Sequence, residues 1–392
     1  MVGLGKLGLP LAVVAASAGH EVRGVDTNEQ VVQLVSRGVT PYAEPGLKDM
    51  LSLLHKRVSA SAAFSTLEDC QLVFHVVPTP SLPDGSFSLE YLRASLDQAV
   101  RKAPLAEHVV VSTVLPGDMR KLAMGVSTAT LIYNPQFIAL GRVILDLTRP
   151  DFVLIGSEDG KPLPALVRFW GSVLEPRFQV MRWEEAELAK IALNAFLTMK
   201  ISFANMLGLA CSHLGADVDA VTGAIGLDKR VGPALLKAGA PYGGPCLPRD
   251  NAAMNSVMKR LGVKTFLPAA VDALNREITD HILAAVLANT RPGQGVALLG
   301  ESYKMGTDNT EESLATLLAA RLLEFDRRLV ELAQARVVVL CLPDRNYQGM
   351  DFGENVVIDP WRVLRENPPE HWMPLGMEVR RAVTGNVLHQ GV

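Results

Sequence analysis

Residues Tyr242-Gly243-Gly244-Pro245-Cys246-Leu247-Pro248-Arg249-Asp250 set a thiol among paired glycines and prolines, with a carboxylate four residues further on. Paired glycines admit backbone angles closed to other residues and let a ligand come close to the main chain. The prolines fix φ and remove donors, so the stretch is expected to be stiff and to continue as neither helix nor central strand. A thiol held this way can serve as a nucleophile, and Asp250 is near enough to share its pocket. The competing reading is a tight turn with an inert cysteine. Lys190 and Asn194 form a second pair. They lie in a proline-free, helix-period run from Glu184 to about Leu214, and a spacing of four puts them on one face, one turn apart. A lysine charge and a fixed amide donor could together hold an oxyanion. The alternative is a surface lysine beside a structural hydrogen bond, although Ile191, Ala192, Leu193, Ala195 and Phe196 around Asn194 argue against a solvated face.

A third constellation opens the chain. Gly3-Leu4-Gly5-Lys6-Leu7-Gly8 reads GxGxxG and is followed by Leu9 to Ala16, an apolar run long enough for a helix, with Gly19 as its stop. Glu21 to Val25 reads as a strand ending at Asp26. In a dinucleotide site the glycines admit the pyrophosphate, the helix amino terminus stabilises its charge, and the carboxylate binds ribose hydroxyls. A carboxylate at Asp26 disfavours a 2′-phosphate, so the expected cofactor is NAD. The fingerprint normally follows a full strand, yet only Met1 and Val2 precede Gly3. The first strand is therefore expected to be truncated, with a true start upstream.

The elements that must carry these groups alternate along the chain. Leu72 to Pro80, with Val109 to Thr113, are strand-like runs ending in small polar residues. Ligands bind at the carboxyl ends of such strands, which turns Thr79 and Thr113 towards the cofactor unless they merely begin turns. Leu131 to Pro135 and Phe152 to Gly156 continue the series, predicting an α/β fold with a parallel sheet and helices on both faces. Later, Val296 to Gly300 and Arg336 to Leu342 read as strands, separated by one helical run through Leu317 and Leu329. Leu342-Pro343-Asp344 and Val356 to Pro360 read as closing elements, and the tail beyond Pro368 is assigned no role.

Length and composition bound the rest. A chain of 392 residues suggests two or three domains, and 48% hydrophobic with 20% charged residues describes a globular protein. A net charge of −3 gives no general attraction to nucleic acid or anionic membrane. No apolar run is expected to approach a membrane span, and no signal peptide is expected. Cys70, Cys211, Cys246 and Cys341 are scattered, so a reducing cytoplasm is the expected compartment. The eight histidines include no HExxH, and no metal site is expected.

Taken together, these stretches resemble the nucleotide-sugar 6-dehydrogenases of the UDP-glucose/GDP-mannose type over nearly the whole chain. The match runs through Gly3 to Ala12, Glu44-Pro45-Gly46-Leu47, Val77-Pro78-Thr79-Pro80, Ser112-Thr113-Val114, Asn134-Pro135, Lys190 with Asn194, Gly226 to Arg230, Tyr242 to Asp250, and Tyr303-Lys304 with Thr307-Asp308. The resemblance implies two Rossmann-like doubly wound domains joined by a central helical dimerisation segment. It would divide the chain into 1–178 for NAD, 179–290 for dimerisation and the Cys loop, and a shortened 291–392 for the nucleotide sugar. It implies a homodimer and the oxidation of a sugar CH2OH, UDP-glucose foremost, to a carboxylate with two NAD. Cys246 would be the nucleophile, Lys190 and Asn194 the oxyanion donors, Asp250 the base and Thr113 a positioner of water or nicotinamide. Gly3, Gly5, Lys6, Leu7, Gly8, Asp26, Pro78, Thr79 and Thr113 would hold the cofactor. Phe137, Ile138, Lys190, Asn194, Arg230, Tyr242, Gly243 and Lys304 would contact the nucleotide sugar, with Arg230 reaching a neighbouring subunit. Two departures stand out. The family's Pro-Glu-Phe-Leu-x-Glu-Gly reads Pro135-Gln136-Phe137-Ile138-Ala139-Leu140-Gly141, without either carboxylate, and Glu311 replaces an arginine. If an absent carboxylate is the essential base, the enzyme is slow, performs part of the reaction, or uses Asp250 instead. The alternatives are a two-electron relative of the 3-hydroxyacid dehydrogenases and a non-catalytic binder of nucleotide sugar or NAD.

Overall fold

A computed structural model describes residues 1–126, 129–175 and 177–377. The chain divides into two compact units, residues 1–194 with 252–265, and residues 195–251 with the described residues from 266 onward. The first unit contains α1 (Gly8–Ser17), β1 (Val22–Val25), α2 (Glu29–Ser36), α3 (Leu47–Leu54), β2 (Val58–Ser61), β3 (Leu72–His75) and α4 (Glu90–Lys102). It continues with β4 (Glu107–Val110), α5 (Asp118–Gly125), β5 (Thr130–Tyr133), α6 (Val143–Thr148), β6 (Val153–Ser157), α7 (Pro164–Val173), β7 (Phe178–Arg182) and the start of α8 (Trp183–Leu214).

Val2 makes parallel bridges to both Val25 and His75, so a single residue fills the place of a first strand between β1 and β3. With Val2 counted, the order β2-β1-Val2-β3-β4-β5 is that of a dinucleotide-binding sheet, whose switch point lies beside the first βα turn. The sheet is not wholly parallel, as the alternation suggested. β6 pairs antiparallel with β5 through Tyr133 and Gly156, and β7 then runs parallel to β6. The six residues of α6 cover about 9 Å at ~1.5 Å each, too little to run back along a five-residue strand of about 16 Å. The return is therefore made without a full crossover. Helix α1 is apolar all round, so it is buried on all sides, with α3, α6 and α7 contributing Leu51, Leu147 and Trp170 to the same core. α4 and α5 cover the other face through Leu92, Leu96, Met119 and Leu122.

The second unit holds the rest of α8, α9 (Val218–Gly226), the start of α10 (Leu247–Arg260), α11 (Leu267–Ala288) and β8 (Gly295–Leu299). α12 (Leu314–Glu324), β9 (Arg328–Leu329), β10 (Val337–Leu340), β11 (Val356–Asp359) and β12 (Trp372–Pro374) complete it. Its sheet runs β12-β11-β10-β8-β9, parallel throughout. Side chains of α11 and α12 such as Ile278, Ile282, Leu318 and Leu322 cover one face. Tyr347, Phe352 and Leu364, from short turns, close the other.

Three expectations are corrected here. The helical run does not extend through Leu329: Asp326 adopts φ 55° and Arg327 bonds back to the Leu322 carbonyl, which turns the chain out into the edge strand β9. The tail beyond Pro368 supplies the opposite edge, β12, up to residue 374; the residues after 377 lie outside the described part. Finally, α8 is long and apolar enough to cross a membrane by length and composition, although no run of that kind was expected.

Candidate active site

The glycine loop divides its labour by position. A Cβ on Gly3 would fall 2.3 Å from the Val76 carbonyl oxygen, and one on Gly8 2.0 Å from that of Gly3, so both glycines permit close packing within the chain. Gly5 has nothing within 4 Å of its would-be Cβ, leaving open space of the kind a pyrophosphate would need. Asp26 steadies this turn: its carboxylate accepts from the Leu4 amide at 2.7 Å and the Asn28 amide at 2.8 Å. Each oxygen has a further lone pair for a ribose hydroxyl. An open glycine at the amino end of α1 and a steadied carboxylate fit NAD. Lys6 and Leu7 complete that turn. Thr79 and Thr113 are brought together, the Thr79 hydroxyl donating to the Thr113 carbonyl at 2.8 Å, while the Ser112 hydroxyl ties their two strands through the Val77 carbonyl at 2.6 Å. Pro78 lies between those ties.

Lys190 is buried on α8, and its ammonium donates to the Gln136 carbonyl at 2.9 Å and stands 4.6 Å from the Phe137 ring centre. The lysine is thereby joined to the segment carrying Phe137 and Ile138, and Asn194 follows one turn later on the same helix. The side chain of Gln136 turns away from this role and donates to the Asn134 carbonyl and Oδ1, bracing the turn, while Leu140 packs on the core beside α1. Neither position supplies a base. One turn before Lys190, Glu187 accepts from the Gly117 and Met119 amides, both at 2.7 Å, at the amino end of α5. Burial pushes its carboxyl from an ordinary 4.5 up to about 7.

In the second unit the Cys loop differs from expectation in two ways. Leu247 and Pro248 do enter a helix. They form the first turn of α10, where a proline forfeits no intrahelical bond, and the Asp250 amide donates to the Cys246 carbonyl at 2.9 Å. Cys246 therefore stands immediately before α10, at the amino end of the helix. Its thiol is exposed, whereas Cys70 is half-buried and Cys211 and Cys341 are buried. Asp250 is buried in that first turn, with Arg249 3.3 Å away. The second correction concerns the glycines, which do not face open space. A Cβ on Gly243 would lie 2.0 Å from the Glu312 carbonyl oxygen, and one on Gly244 2.5 Å from the Tyr303 ring. The chain itself makes the close approach. Lys304 sits 5.7 Å from the Tyr303 ring centre, and the Glu311 carbonyl accepts from the Gly244 amide at 2.9 Å.

Tyr242 is buried, and its hydroxyl has no hydrogen-bond partner among the described residues. Arg230 folds back onto Asp228 at 2.6 Å within its own chain. Three asparagines that sequence reasoning passed over hold this segment. Asn275 clamps the Tyr242 amide and carbonyl at 2.8 and 2.9 Å, Asn205 does the same for Gly239 and Ala240, and Asn251 ties to the Pro268 carbonyl. Only Asn205 carries a sequence signal, an amide within an apolar helical run; Asn251 and Asn275 stand beside charged residues. Among the described residues no cluster of His, Cys, Asp and Glu is placed to hold a metal.

Comparison with known proteins accords with these features. Residues 1–171 match the NAD binding domain, and 184–277 the central domain, of the UDP-glucose/GDP-mannose dehydrogenase family. UDP-glucose 6-dehydrogenase AglM of Haloferax volcanii is 32% identical over 345 residues, 83% of this chain and 80% of the relative. UDP-glucose 6-dehydrogenase of Pseudomonas aeruginosa is 32% identical over 348 residues, 84% and 77%. Among solved structures, the UDP-glucose dehydrogenase of Pyrobaculum islandicum superposes with a TM-score of 0.87 at 30% identity, covering 96% of this chain and 95% of that one. The chain belongs to the UDP-glucose/GDP-mannose dehydrogenase family of oxidoreductases, with NAD as its cofactor and a nucleotide sugar as its substrate.

Proposed function

We propose that the protein oxidises the C6 alcohol of a nucleotide sugar, UDP-glucose foremost, to the carboxylate through a covalent adduct on Cys246. The observation that carries this reading is an exposed thiol at the amino end of α10 with a buried carboxylate, Asp250, in the first turn behind it. Bound NAD supplies the acceptor for hydride, one molecule in each of two oxidations. The alcohol first loses a hydride and a proton to become an aldehyde. The Cys246 thiolate then adds to the aldehyde carbon, and the oxygen takes a proton to give a hemithioacetal. Loss of the second hydride and that proton leaves a thioester, and water cleaves the C–S bond to release carboxylate and thiol. Lys190 and Asn194 stabilise the oxyanions of both additions. With Gln136 and Leu140 lacking carboxylates, Asp250 takes the proton from water, and Thr113 positions that water or the nicotinamide. Gly3, Gly5, Lys6, Leu7, Gly8, Asp26, Pro78 and Thr79 hold the cofactor. Phe137, Ile138, Tyr242, Gly243, Lys304 and a second subunit's counterpart of Arg230 hold the nucleotide sugar; the unpartnered hydroxyl of Tyr242 suits a donor to an anionic oxygen.

In the same reading residues 179–290 form a dimerisation segment between an NAD domain and a sugar-binding domain. The protein is then a cytoplasmic homodimer whose α8 faces protein rather than lipid. Phe196 and Phe203, two turns apart on one face of α8, are exposed in the single chain and suit a partner helix. Glu187 and Lys190, buried and hydrogen-bonded to protein, do not suit a membrane.

The test is NADH absorbance with UDP-, GDP- and dTDP-sugars. The expected result is two NADH per sugar from one nucleotide class, abolished in Cys246→Ala. Full turnover by Cys246→Ala would sink the covalent route. One NADH per sugar would mean that losing Gln136 and Leu140 as carboxylates confines the enzyme to partial oxidation.

A further inference from the structure

Two loops that the reading above gives to different ligands are joined by a third. On one side stands the glycine loop, where Gly5 alone of its three fingerprint glycines has open space beside it. The Gly5 carbonyl accepts a short hydrogen bond from the Tyr42 hydroxyl. On the other side runs the segment from Gln136 to Val143, which holds Lys190 at its start. Glu44, two residues after Tyr42, accepts from the Gly141 and Val143 amides, each at 2.9 Å, closing the far end of that segment over the start of α6. Asp146 accepts from the Ala139 amide at 2.9 Å, so two carboxylates grip the chain between Ala139 and Val143.

The bridging stretch is itself anchored. Gly46 adopts φ 79° at the start of α3, and Leu47 and Leu51 of that helix are fully buried in the core shared with α1 and α6. A hydroxyl and a carboxylate two residues apart on a fixed stretch thus set the spacing between the cofactor loop and the substrate-side loop. Burial, with Glu44 and Asp26 nearby, pushes the Tyr42 hydroxyl well above its ordinary range and keeps it a donor. Glutamate is suited to its end because a carboxylate can accept from two amides at once and favours a helix amino terminus.

We propose that Tyr42 and Glu44 are positioning residues that couple the two loops, so that NAD on the glycine loop and nucleotide sugar beside residues 136–140 strengthen each other's binding. The proposal rests on the reading that this segment meets the sugar. Such coupling is reciprocal and typically worth about fivefold or more in affinity. A merely structural role would lower the melting temperature or scale both affinities without changing how one depends on the other.

The test is NADH affinity by fluorescence titration of the full chain, with and without saturating UDP-glucose, in the wild type, Tyr42→Phe and Glu44→Gln, with melting temperatures measured alongside. Wild type is expected to bind NADH about fivefold or more tightly when the sugar is present. That factor should fall towards one in both variants. Tyr42→Phe should also weaken NADH alone by about two- to tenfold, as a lost hydrogen bond predicts. Glu44→Asp, which keeps the charge but shortens the reach, should restore little, whereas full restoration would mean that charge alone suffices and would overturn the spacing argument. Wild-type coupling retained in both variants overturns the proposal while leaving the substrate reading intact. Failure of UDP-, GDP- and dTDP-sugars to bind the wild type at all overturns that reading, and the coupling with it.

Discussion

Gly5 and Gly8 share one hexapeptide and would fail in different ways if given a methyl group. At Gly8 the new carbon meets the Gly3 carbonyl oxygen at 2.0 Å, so the main chain must move. Gly8→Ala should cost about 1–3 kcal/mol, read as a lowered denaturation midpoint. At Gly5 there is room, so Gly5→Ala should keep a near-native midpoint yet raise KM for NAD by crowding the pyrophosphate. A Gly8→Ala variant of full stability with only a raised KM would contradict this division. The spacing of the glycines was legible because each answers to a local rule. The residues that hold the loops were not. Tyr42 reaches Gly5 across 37 positions and Glu44 reaches Gly141 across 97, and although Glu44 stands in a stretch that carries the resemblance, nothing local in either residue names its distant partner. Asn205 and Asn275 are similar, ordinary amides whose meaning comes from backbone groups distant in sequence.

Among the elements, α8 was readable from end to end because its period runs unbroken. What it carries on its buried side was not. Glu187 binds the amino end of α5, and its carboxyl is raised from 4.5 to about 7. A carboxyl raised above its unfolded value holds a proton in the native state that the unfolded chain has already lost. Its contribution is therefore complete below pH 4.5 and is lost as pH rises through 7. The melting temperature of wild type relative to Glu187→Gln should accordingly fall between pH 5 and 8, as measured by scanning fluorimetry, and a constant difference would show that Glu187 does not titrate there. His75 and His108 act in the opposite sense. Burial lowers both, with each bonded to the other at 3.1 Å, so their contribution is present above 6.5 and lost on acidification. Short edge strands such as β9 and β12 escape sequence reading because two or three residues are too few for a period to register, and pairing with a neighbour alone makes them strands.

For the whole molecule, the proposed homodimer makes a direct prediction. Phe203→Glu would place a charge on the exposed apolar face of α8, and light scattering should then report one chain mass where wild type reports two. A wild type that is already monomeric, or a variant that stays dimeric, would remove α8 as the interface. The packing of Gly243 and Gly244 against Glu312 and Tyr303 has another outcome, one that concerns synthesis. A chain emerging from the ribosome makes its cysteine segment well before residues 303–313 exist to brace it. The dinucleotide-binding sheet can form early, but the support of the cysteine segment arrives late. Chains released before residue 303 would keep a glycine loop and a thiol yet lack that brace, so the proposed nucleophile would acquire its working geometry only once residues 303–313 have been made.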